Sequence, residues 1–156
     1  MGLQRVATVF ALLLAAFLLY MGIGFMVDPL GNAAGFGLPE SSRPGTEAAA
    51  FLNVKGGRDI GLGLVVLALL LARQSKATGW ALLAMALMPV MDAAVVLSYG
   101  GSLAEALSIH ISAAVCVAVT GLLHLWAARR ASGARDDTNS RHQLPNRPGR
   151  IPQERG

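Results

Sequence analysis

From Val6 to Val27 the chain runs without a single charged residue. As a helix, a run of about 22 residues measures roughly 33 Å, enough to cross a hydrocarbon core of about 30 Å. In lipid every backbone N–H and C=O must be satisfied inside the protein, so a lone apolar run of this length is restricted to a helix. Arg5 followed by leucines also suits a secretory leader. A leader's apolar centre, however, is only about 7–15 residues, and no small-x-small cleavage site closes this run, so a retained span is expected.

Three further apolar runs repeat the pattern. Between the first two lies a segment, 28–45, punctuated by Pro29, Gly31, Gly35, Gly37, Pro39 and Pro44, which reads as a loop with an apolar centre at Phe36 and Leu38. A second helix is expected from Thr46, a candidate N-cap, to about residue 72. Arg73 to Lys76 forms a basic turn, and a third helix is expected over 78–97, where Pro89 leaves the Met85 carbonyl without its usual partner and predicts a kink. Ser98 to Gly101 forms the next turn. Ser102 and Glu105 match a capping box opening a fourth helix over 102–128. The spans are thus about 6–27, 46–72, 78–97 and 102–128. The predicted fold is all-α: an integral membrane four-helix bundle over 1–131, followed by a disordered, basic cytoplasmic tail over 132–156.

The composition agrees, with 54% hydrophobic and 14% charged residues and a mean hydropathy of +0.53; soluble domains carry roughly a quarter charged residues. The net charge of +4 and pI near 10 would suit nucleic acid, but the charges sit elsewhere. Arg5, Arg73, Lys76, Arg129 and Arg130 flank apolar runs, other arginines lie in the tail, and no basic helix interleaved with aromatics exists to stack bases. The bilayer is the expected partner, and self-association of such bundles is compatible with the sequence. Lys and Arg cluster at the N-terminus, at the 73–76 turn and at 129–130, while the other two loops offer only Arg43. By the positive-inside rule both termini of this multi-pass chain are expected in the cytoplasm. Cys116 is alone within an apolar run, so no internal disulfide is possible.

Against this background, polar side chains inside the spans stand out. Tyr20, Arg58, Asp59, Asp92 and His110 each fall, at 1.5 Å per residue, roughly 9–14 Å below the outer surface. Lys55 lies one turn before Asp59 on the stripe that holds Leu52, Gly56 and Gly63. Gly57-x-x-x-Gly61 adds a neighbouring small face. Ionisable groups at membrane depth usually face a bundle interior or a wet cavity. Two readings follow. In the first, Arg58 pairs with Asp92, and Asp59 with Lys55 or His110, as a clasp that locks the bundle of a non-enzymatic binding or accessory subunit. In the second, the groups line a pocket. There Asp59, Asp92 and His110 are the catalytic acid–base candidates, and Arg58, Tyr20 and Lys55 the substrate-binding ones. Proton transfer on a lipophilic small molecule (isomerisation, cyclisation or epoxide opening) suits that set.

Other features carry less. Asp59, Asp92 and His110 would make a two-carboxylate, one-imidazole metal set, but no H-x-x-H or H-E-x-x-H spacing supports one, and neither a metal nor a cofactor is expected. Gly61-x-Gly63 lies within a helix rather than after a strand, which rules out a dinucleotide loop. Met85, Met88 and Met91 read as apolar filler. His124, near Trp126, and Trp80 read as anchors at the cytoplasmic interface. Proton-coupled transport would need polar groups through the inner half, where only His124 stands.

Lys55-Gly56-Gly57-Arg58-Asp59-Ile60-Gly61-Leu62-Gly63, followed by Pro89-x-x-Asp92 and His110, together with Ala33-Ala34-Gly35-Phe36-Gly37-Leu38-Pro39, resembles a family of small four-span membrane proteins of bacteria and fungi known as domain of unknown function 4267. The likeness extends from about Val6 to Trp126. It implies the four-helix membrane architecture and brings no established reaction.

Overall fold

The computed structural model describes residues 2–37 and 49–142, and the described residues contain helices and no strand. The first helix, α1 (Leu3–Val27), buries Ala7, Ala11, Ala15, Gly22 and Phe25. This stripe of small residues at helical spacing lets a neighbour approach closely. That neighbour is α3 (Ala49–Leu71), which buries Gly56, Asp59, Gly63 and Val66 and packs along α1 over much of its length. At the tightest crossing a Cβ built on Gly22 would stand 2.7 Å from the Gly56 carbonyl oxygen, and one on Gly56 2.7 Å from the Gly22 oxygen.

Part of the expected 28–45 loop is helical. Asp28 caps a short helix, α2 (Pro29–Ala33), by accepting from the Gly31 N–H at 2.9 Å, with proline at the first helical position, where its missing N–H costs nothing. Asn32 Nδ2 donates to the carbonyls of Gly24 and Asp28, satisfying the end of α1. A single 3-10 turn, Ala34–Phe36, follows. The expected cap at Thr46, Leu38 and Arg43 lie outside the described residues.

The turn expected at 73–76 is shorter still. Arg73 adopts φ 55° and closes α3 with bonds from its own N–H to the Leu70 carbonyl and from the Gln74 N–H to that of Leu69. The third rod begins at once, as α4 (Ser75–Met85), breaks at Ala86 and continues as α5 (Leu87–Ser98). The break lies three residues before Pro89, where the proline ring disturbs the preceding turn. Gly100, at φ 82°, turns the chain into the last rod.

That rod opens with the anticipated capping box: the Glu105 N–H donates to Ser102 Oγ at 3.1 Å, and the Ser102 N–H to Glu105 Oε2 at 2.9 Å. After α6 (Leu103–Glu105) comes a π-helical turn over Ala106–Ile111, marked by the bond from the Ser112 N–H to the Leu107 carbonyl, and then α7 (Ser112–His142). The last helix therefore runs beyond its expected end near Ala128, into the segment read as tail. Alanines and arginines there favour helix and no proline occurs before Pro145. Residues 143–156 lie outside the described residues.

Three rods are long and apolar enough to cross a membrane: Leu3–Val27, Ser75–Ser98 and Leu103–Gly133. Gly79 and Gly121 bring α4 against α7, each with its imagined Cβ 2.9 Å from the other's carbonyl oxygen. Ala11, Ala15, Val66, Leu82 and Met85 form a core built by α1, α3 and α4, with Val117 of α7 packed against it.

Candidate functional site

Above that core the rods enclose a cavity of about 150 Å³. Its making is local. Below the break α4 packs on both α3 and α7; beyond it α5 packs mainly on the π-helical turn and α7 rather than on α3. The space between them is lined by Arg58 and Asp59 of α3, Met88, Pro89 and Asp92 of α5, and His110 of the π-helical turn, with Lys55 and Phe36 nearby. Leu14, Leu62, Leu82 and Val117 supply the apolar floor.

Five of the six residues singled out in the sequence therefore share one cavity. Tyr20 does not. Its side chain is 74% exposed on the outer flank of α1 and it is not part of the lining, because the inward stripe of that helix passes through Gly22 and Phe25 instead. Two methionines read as filler, Met85 and Met88, line the cavity, whereas Met91 faces outward.

Two ion pairs meet on α3. Lys55 Nζ lies 2.6 Å from Asp59 Oδ2, one helical turn away, and Arg58 Nη2 lies 3.1 Å from Asp59 Oδ1. The Asp59 residue is only 4% exposed, so its charge is neutralised where water cannot do it. The Lys55 ammonium also sits over the rings of Phe25 and Phe36, at 4.8 and 5.6 Å from their centroids. Of the pairs named in the clasp reading, Asp59 with Lys55 forms, within one helix; among the described residues Arg58 does not bridge to Asp92, nor Asp59 to His110. Asp92 makes no hydrogen bond or ion pair there.

His110 is buried and donates its Nε2–H to the Phe36 carbonyl at 2.9 Å, with the two rings 4.7 Å apart. This fixes Nδ1 as the acceptor nitrogen of the neutral ring. Among the described residues Nδ1 has no partner. The π-helical turn that sets this ring was not readable from sequence; such turns recur at functional sites because the extra residue redirects one side chain. Among the described residues no three His, Cys, Asp or Glu side chains gather as a metal site requires.

The family model described as "Domain of unknown function (DUF4267)" matches residues 15–124. The chain belongs to this family. The matched stretch contains every cavity-lining residue named above except Leu14. No curated protein and no solved structure matches the chain.

At the opposite end, His124 departs from its expected role. It is fully buried, not interfacial, with Nδ1 3.1 Å from Ser75 Oγ on the first turn of α4. The close approach at Gly79 and Gly121 draws that turn over it. Trp126 and Trp80 remain half-exposed, and the Arg130 guanidinium stacks 4.1 Å over the Trp126 ring.

Proposed function

We propose that this family member is an integral membrane protein that binds a lipophilic small molecule in the cavity and moves a proton on it. One observation carries the reading. The cations and Asp59 satisfy one another on α3, while Asp92 and His110 line the same cavity, the Asp92 carboxyl and His110 Nδ1 having no protein partner among the described residues. A clasp would have used those groups to join helices. A site keeps them for a ligand.

In this reading α3 is the fourth span, its charges tolerable in hydrocarbon because they are paired and turned inward. Both termini are cytoplasmic, which puts the cavity in the outer half of the bilayer. Asp92 takes a proton from the bound molecule and returns it at another position, with His110 as relay, so an isomerisation balances with no added reactant. Arg58, whose side chain is 40% exposed at the edge of the cavity, holds an oxygen of the ligand.

The test is retention. Protein purified in mild detergent should carry a solvent-extractable lipophile at near one per chain, and the Asp92→Leu variant should lose it while remaining folded. Protein that carries none, with Asp92→Leu indistinguishable from it in lipid content, would refute the proposal.

A further inference from the structure

The cavity also constrains what occupies it. Apolar protein cavities of about 150 Å³ hold a single benzene ring, and this cavity has that volume. Its polarity is layered. Lys55, Asp92 and His110 lie toward the outer end, and Leu14, Leu82 and Val117 form the floor. Its charges are two of each sign, Lys55 and Arg58 against Asp59 and Asp92. An anionic head would be opposed by Asp92, and an amine by Lys55 and Arg58, so a neutral head leaves the balance intact. Asp92 offers acceptor oxygens with no protein donor, and a buried acceptor is satisfied by a ligand O–H. The seam between α3 and α5, where packing is slight, is edged by Arg58 and Met88, and the Arg58 side chain is 40% exposed there.

On the reading of the cavity given above, we propose that the ligand is a neutral amphiphile with a ring-sized head bearing an O–H group. It enters sideways from the membrane between α3 and α5 and donates that O–H to Asp92. The rest of the molecule stays in lipid.

Three probes separate the elements of this assignment: 4-octylphenol, its methyl ether 4-octylanisole, and 4-octylbenzoate. Each is titrated into the full chain in phosphatidylcholine nanodiscs, and bound probe is counted by native mass spectrometry. The phenol should saturate at one per chain and bind about tenfold or more tightly than the ether, which cannot donate. Asp92→Leu should bring the two affinities to within about twofold. Asp92→Asn, which preserves shape, should narrow the gap, because an amide oxygen accepts more weakly than a carboxylate. Saturable binding with no preference for the phenol, a preference for the benzoate, or a preference unchanged in both variants would overturn the donor assignment and leave the pocket standing. Failure of all three probes to saturate would overturn both.

Discussion

Lys55 and Asp59 stand one turn apart on α3 with 2.6 Å between Nζ and Oδ2, and Arg58 closes on the other carboxylate oxygen. All three charges therefore depend on one buried group. Asp59→Asn would leave Lys55 facing the cavity without a counter-charge, and the expected cost is about 3 kcal/mol. Replacing the pair together, with Lys55→Met and Asp59→Leu, should recover most of that loss, because an apolar pair needs no desolvation. Thermal unfolding in one detergent compares the two variants directly. Equal stability of Asp59→Asn and the wild type would mean that the pair contributes nothing to the fold.

Asp92 should behave oppositely. Its carboxyl is partly buried with no donor among the described residues, so Asp92→Leu relieves an unsatisfied polar group and should stabilise the fold by about 1–3 kcal/mol. The same substitution removes the group proposed to contact the ligand. A rise in melting temperature with loss of bound lipophile is the expected pairing, as where a site is kept at the expense of stability. A fall in melting temperature would show that Asp92 is tied into the packing after all.

Three long apolar helices were legible because apolar runs of this length have one solution in lipid. The capping box and the basic turn were legible because their chemistry is local. What sequence hid depended on tertiary approach. Rotation of α1 turns Tyr20 outward, away from the cavity the others line. The Gly79–Gly121 contact buries His124, which composition alone places at an interface. The π-helical turn shifts His110 by part of a residue and joins it to the Phe36 carbonyl, across a sequence separation no local rule spans. Position along each rod was readable, rotation only in part.

The glycines of α3 make that distinction measurable. Gly56 meets the Gly22 carbonyl, so Gly56→Ala or Gly22→Ala must push α1 and α3 apart, at an expected cost of about 1–3 kcal/mol. A Cβ at Gly57 or Gly61 would find no described atom within 4 Å. Gly57→Ala and Gly61→Ala should therefore gain about 0.5–1 kcal/mol from helix propensity alone. Chemical or thermal denaturation of the four single variants checks the contrast. Destabilisation by Gly57→Ala or Gly61→Ala would show that this face is covered in the membrane, as by a second copy.

The orientation rests on arginine and lysine placement, and accessible cysteines decide it. In a Cys116→Ala background, Lys76→Cys puts a thiol on the first turn of α4, and Leu103→Cys puts one at the start of α6, both exposed positions. A membrane-impermeant maleimide applied to intact cells should label Leu103→Cys and leave Lys76→Cys unlabelled until the membrane is opened. Labelling at both positions in intact cells would mean that the rod from Ser75 to Ser98 does not cross the membrane. The reverse pattern would move the cavity to the cytoplasmic leaflet. Asp92 and His110 would then meet ligands drawn from the inner monolayer, and the same residues would serve a different lipid pool.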